Sequence, residues 1–202
     1  MINHKIKCIF IHIPRTGGSS IEETLHGADW WQVKASTKHL IASTAKRIYS
    51  EYWDDYFKFS FVRNPWDRMR SMAKFPNFYG CVLKNNTIDI SGYIKKFRPV
   101  EIDPRSVSDI DRGSIPYHKD SVYLNILNEE LDFVGNYETL EQDFDYVCNM
   151  LSITTPELAH TQKQHRPALK SRHYTEYYND ASKQAIEKIY MRDIKHFDYK
   201  FN

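Results

Sequence analysis

Three cysteines, Cys8, Cys81 and Cys148, are too few and too irregularly spaced in 202 residues to build a disulfide scaffold or a zinc site. An odd set, with Cys8 and Cys148 on apolar faces, points to a reducing, cytoplasmic setting. No apolar run reaches membrane-spanning length. The opening MINHKIKCIFIHI joins a basic start to a short apolar run. Cleaving it as a leader would remove the strand that feeds a glycine loop, so it is read as part of the fold. Charge of one sign is also lacking: a net +2 leaves no global basic excess, which argues against a general nucleic-acid binder. There is no internal repeat, heptad pattern or long structureless linker, so residues 1–202 read as one domain of open oligomeric state. Glycine is scarce, at seven residues, and two of the seven adjoin at positions 17 and 18.

That pair sits in the most informative stretch of the chain. An apolar run, IKCIFIHI, stops at PRTGGSS and passes into the helix-like IEETL. A buried strand, a glycine loop and a hydroxyl-bearing helix start form the arrangement by which backbone wraps an anion. Glycine lets the chain pass close to a ligand, and the first helical amides lack intrahelical partners and lie at the positive end of the dipole. A nucleoside-triphosphate P-loop would place lysine directly before the hydroxyl residue. Here Gly18 precedes Ser19, and the cation Arg15 comes before the glycines. A tight turn followed by a capped helix is the plain alternative for this loop alone.

A second segment, FKFSFVRNPWDRMRSM over 57–72, repeats the strand-into-helix pattern. Asn64 is placed as N-cap, Pro65 as first helical residue and Asp67 in the first turn. Arg63 then falls at the carboxyl end of a strand, the edge where open α/β sheets bind ligands, with Ser71 two turns into the helix. Elsewhere, Ser36 or Thr37 can cap a helix running to Ile48–Tyr52, and Tyr117 to Leu131 reads as helix. Phe133 to Tyr137 reads as strand, and Thr139 caps a helix with Leu140, Phe144, Val147, Cys148 and Leu151 inward. Asp180 caps the last helix, which buries Ile186, Ile189, Tyr190 and Ile194. Strands alternating with helices imply a parallel sheet with right-handed crossovers.

Taken together, IFIHIPRTGGSSIEETL and FSFVRNPWDRMRSM resemble the two signature elements of carbohydrate-type sulfotransferases, which use 3′-phosphoadenosine-5′-phosphosulfate (PAPS) as donor. The likeness continues through LDFVGNYETLEQDF and the tail KSRHYTEYYND. It implies an α/β fold, a P-loop NTPase-like three-layer sandwich around a central parallel sheet. It also implies that Arg15, Thr16, Gly17, Gly18, Ser19 and Ser20 hold the 5′-phosphosulfate, and that Arg63 and Ser71 hold the 3′-phosphate. Lys170, Ser171, Arg172 and Tyr174 match the carboxyl-terminal donor-contacting segment. The family usually has lysine where this chain has Arg15, which keeps the charge expected on the leaving group but adds a bulkier, forked donor.

Nine histidines compete for the role of base. His39, in STKHLIAS, lies where the family places its catalytic histidine; His118 is the reserve, on the acceptor side. His12 shares a strand face with Phe10 and Cys8 and reads as a hydrogen-bonded residue beneath the loop. His160, His165 and His173 lack metal-ligand spacing. The region 74–116 reads as the variable, acceptor-side part. The expected reaction moves a sulfuryl group from PAPS to a hydroxyl of a small-molecule or glycan acceptor. It leaves 3′-phosphoadenosine-5′-phosphate (PAP) and needs no metal. A nucleotide-dependent kinase and a noncatalytic nucleotide-binding protein are the alternatives.

Overall fold

The structure, a computed structural model, describes residues 1–73, 122–159 and 172–202, together with an antiparallel hairpin pairing Leu83–Lys84 with Thr87–Ile88. Its sheet has four strands in the order β1 (Ile2–Asn3), β2 (Cys8–Ile11), β3 (Phe57–Val62) and β4 (Phe133–Asn136). β1 runs antiparallel at the edge, whereas β2, β3 and β4 are parallel, with Ile11 opposite Ser60 and Val62 opposite Asn136. Three loops therefore leave the sheet at one edge: Arg15 follows β2, Arg63 follows β3 and Tyr137 follows β4.

All four residues of β2 are buried, as expected of a strand covered on both faces. The period of two sorts the side chains into two cores. Cys8, Phe10, Phe59 and Phe61 pack with Ile21 of α1 (Gly18–His26), Trp30 of α2 (Trp30–Lys34), and Phe144 and Val147 of the long helix that follows β4. On the other face, Ile9, Ile11 and Val62 meet Ala42 and Ala45 of α3 (Ala42–Ile48) and Trp53 of α4 (Ser50–Trp53). On the same face of β3, the buried Ser60 donates to the Ile11 carbonyl at 2.7 Å.

The second motif forms α5 (Pro65–Ala73), where the Asn64 side chain accepts from the Trp66 amide at 3.2 Å, as an N-cap does. Behind α5, Trp66, Met69 and Met72 pack with Tyr174, Ile186 and Tyr190 from the carboxyl-terminal segment. Each fully buried residue of this size contributes about 1.5–3 kcal/mol. Among the described residues no helix is long and apolar enough to cross a membrane.

Four expected elements differ. The helix expected after Ser36 or Thr37 is split: a 3-10 turn covers Ala35–Thr37, Ile41 is extended (ψ 154°), and α3 starts only at Ala42. Leu40 and Ile41 are buried there, and Lys38 and His39 point to inner partners, which a continuous helix would not permit. The helix expected over 117–131 is a single turn, α6 (Tyr123–Ile126), within the described residues; Asp193 takes both the Tyr123 and Leu124 amides and so fixes its start. The helix after β4, α7 (Leu140–Met150), follows Thr139 as expected, but the Thr139 hydroxyl bonds Asp143 rather than a helical amide. The last helix is capped by Asn179, not Asp180, and breaks at Tyr190 into α8 (Asp180–Ile189) and α9 (Met191–His196).

Candidate active site

The loop between β2 and α1 is held in a strained shape. Arg15 has φ 72° and Gly17 φ 87°, both in the left-handed region, which costs a non-glycine residue of the order of 1–2 kcal/mol. The second motif supplies what holds it. Arg63 Nη1 donates to the Arg15 carbonyl at 3.1 Å, and the buried Arg68 Nε donates to the Pro14 carbonyl at 3.0 Å. Arg15 Nε in turn donates to Ser71 Oγ at 2.9 Å. The two motifs are thus one unit, tied by three guanidinium groups.

Neither glycine tolerates a side chain. At Gly18 an added Cβ would lie 2.3 Å from the His12 ring, and at Gly17 it would meet Leu140 at 3.0 Å in a backbone shape that already disfavours it. The close approach of α1 to His12 has a chemical counterpart: His12 Nδ1 lies 2.7 Å from Glu22 Oε1. Burial holds His12 below its ordinary pKa, so the ring is neutral and donates from Nδ1 to the carboxylate. Burial alone would raise Glu22, but His12 and Lys38 outweigh it and hold the carboxyl down to about 2.

Lys38, only 1% exposed, is the centre of this arrangement. Its ammonium lies 2.7 Å from Glu22 Oε2 and 2.5 Å from Asp29 Oδ1, and donates to Ser19 Oγ at 3.4 Å. With that lone pair occupied, the Ser19 hydroxyl proton must point to another acceptor. His39, the next residue, places Nδ1 3.0 Å from the His12 carbonyl. A carbonyl only accepts, so Nδ1 carries a proton and is engaged with the backbone, which leaves Nε2 as the nitrogen able to act as a base.

A cleft of about 700 Å³ opens over these groups, a size that suits a nucleotide-sized ligand. Arg15, Gly17, Gly18, Ser19, Ser20, His39 and Arg63 line it, joined by His12, Lys38, Trp31 and residues 137–142. Arg63 lies 3.8 Å above the Tyr137 ring and bonds Asp67 through Nε at 2.8 Å and through Nη2. Of the site residues expected on the two motifs, Thr16 and Ser71 do not line the cleft. Thr16 is buried and donates inward to the Ile13 carbonyl at 2.9 Å, and Ser71 is 5% exposed with its hydroxyl taken up by Arg15.

From the carboxyl-terminal segment, Arg172 is exposed. Tyr174 sits behind the second motif, its hydroxyl accepting from Asn64 Nδ2 at 3.3 Å and from the Asn202 amide at 3.2 Å. His118, Lys170, Ser171, His160 and His165 lie outside the described residues, as does the acceptor-side region 74–116 apart from the short hairpin. Sequence reasoning missed Lys38, Glu22 and Asp29. The available signal was Glu22 one turn after Gly18, a carboxylate on the same helix side as the close-packed glycine, with Lys38 directly before the chosen histidine.

The cleft combines helix-start amides, two arginines, a buried lysine and a basic imidazole nitrogen. Such a set can hold an anion, stabilise charge on a departing oxygen and accept a proton. Residues 104–200 match the model of the sulfotransferase family, a stretch that contains β4, Tyr137 and helices α6 to α9. No curated protein matches the chain. Over residues 104–200, just under half of its length, the chain is thus similar to the sulfotransferase family, while the glycine loop and its cleft lie in the amino-terminal part.

Proposed function

We propose that the enzyme transfers the sulfuryl group of PAPS to a hydroxyl of a carbohydrate or glycan-like acceptor, releasing PAP. The observation that carries this reading is the junction of the two motifs. Arg63, at the end of β3, bonds the Arg15 carbonyl at 3.1 Å, so two separate anion-binding elements open into one cleft. A donor with phosphate groups at both its 5′ and 3′ positions requires two such elements side by side. The helix–sheet–helix layering favours a P-loop NTPase-like architecture, and the buried thiols of Cys8 and Cys148 suit a cytoplasmic enzyme.

PAPS supplies a sulfuryl group joined to the 5′-phosphate through an anhydride oxygen. The chain's own residues would do the rest. The amides at the start of α1 and the Ser19 and Ser20 hydroxyls hold the 5′ end, and Arg15 neutralises charge on the oxygen left behind. Arg63, with Ser71 behind it, selects the 3′-phosphate. His39 Nε2 takes the proton of the acceptor hydroxyl as its oxygen bonds sulfur and the sulfur–anhydride bond breaks. The migrating group carries less charge than a phosphoryl group, so fixed cations and amides suffice and no metal is required in this reading.

The test is transfer of labelled sulfuryl from PAPS to a panel of hexose, hexosamine and uronic-acid oligosaccharides without metal. Labelled product supports the reading. PAP binding with no transfer to any acceptor favours a noncatalytic cradle, and magnesium-dependent ATP turnover favours a kinase.

A further inference from the structure

Trp31 is half exposed at 50%, in contrast to its neighbour Trp30, which is 4% exposed and anchored by an Nε1 bond to Thr37 Oγ1 at 2.8 Å. The buried partner pins the start of α2, and Asp29 reinforces it by accepting the Trp31 amide at 2.9 Å while also holding Lys38. The exposed indole is therefore mounted on a fixed backbone. It lines the cleft, its centroid 5.4 Å from that of the His39 ring at an interplanar angle of 77°, with the Lys38 ammonium 5.6 Å from the indole centroid. The indole thus presents an apolar surface to the cleft directly beside His39.

We propose that Trp31 is the acceptor platform, stacking against the C–H face of a pyranose ring so that one ring hydroxyl lies at His39. This rests on the sulfuryl-transfer reading above and names the acceptor's chemistry within it. Two features select a sugar over a wholly apolar acceptor. An indole face suits axial C–H groups, and the cleft it lines also carries the polar side chains of Glu141 and Gln142, which suit ring hydroxyls. Donor-side contacts fall elsewhere: Arg63 rests on Tyr137, on the loop after β4.

The experiment uses the full chain saturated with PAP, titrated by calorimetry with tetrasaccharides of glucose, N-acetylglucosamine and alternating uronic acid–hexosamine. In the wild type at least one tetrasaccharide binds saturably. Trp31→Ala weakens that binding about tenfold or more, Trp31→Phe recovers part of it, and PAP affinity is the same in all three proteins. Equal tetrasaccharide affinity in wild type and Trp31→Ala overturns the proposal, as does a wild type that binds PAP but none of the three sugars. Loss of PAP affinity in Trp31→Ala would reassign the indole to the nucleotide base. Failure of the wild type to bind PAP would instead overturn the sulfuryl-transfer reading on which the proposal rests.

Discussion

Replacing Lys38 by methionine tests the buried charge network that presents the site. The Lys38 and Glu22 side chains are 1% and 0% exposed and 2.7 Å apart, and Asp29 completes the ammonium's coordination. Methionine fills most of the lysine volume, so the cost is electrostatic: Glu22 stays buried with only the neutral His12 ring and the Trp30 amide as donors. Breaking a buried pair from one side costs about 3–5 kcal/mol, a large part of the 5–15 kcal/mol total usual for a domain. At this chain length each kcal/mol lowers Tm by about 2–4 °C, so a fall of about 6–20 °C is expected in thermal unfolding followed by circular dichroism. Glu22→Gln in the Lys38→Met background removes the stranded charge. The double variant should therefore be more stable than the sum of the single losses by about 1–3 kcal/mol. A fall under about 3 °C for Lys38→Met, or simple additivity in the double variant, would refute the network as drawn.

Arg63→Ala, checked for folding by circular dichroism, should weaken PAP binding about ten- to a hundredfold, the worth of a lost charge-assisted contact; unchanged affinity would remove Arg63 from the donor site. His39→Ala should bind PAP as the wild type does while sulfuryl transfer falls about 10²–10⁴-fold, and full activity would sink its role as base. The pH dependence of stability follows from His12, whose pKa burial lowers in the folded state from its ordinary 6.5. Below that value the unfolded chain binds the proton more readily, so stability is present above pH 6.5 and is lost as pH falls through the lowered folded value. Tm should drop between pH 7.5 and 5.5, and His12→Gln should flatten that drop; an equal slope in both proteins would contradict the assignment.

The strand-loop-helix elements were legible because local rules govern them. Apolar runs, a glycine pair and Asn64–Pro65 as cap and first helical residue specify β2, α1, β3 and α5 with little help from the rest of the fold. Most of the cleft followed from those elements, since parallel strands bring their carboxyl ends to one edge. The misplaced helix start near His39 has a different origin. Residues 38–41 have helical composition, but Lys38 and His39 find partners in Glu22 of α1, in Asp29 at the cap of α2 and in His12 just after β2, and those long-range bonds override propensity. Thr16 and Ser71 show the same limit at the level of single side chains. Both stand in the expected motif positions, yet each hydroxyl is turned to a protein partner, Ile13 in one case and Arg15 in the other. Glu22 was hidden because a carboxylate on a short amphipathic helix ordinarily faces water, and its inward position is compensated by distant partners, Lys38, His12 and the Trp30 amide.

Calorimetric titration with PAP in the absence of metal, with ATP and adenosine-5′-phosphate as controls, tests the central claim most directly. The account predicts tight PAP binding that is lost when the 3′-phosphate is absent. No PAP binding, or a preference for ATP that appears only with magnesium, would contradict it.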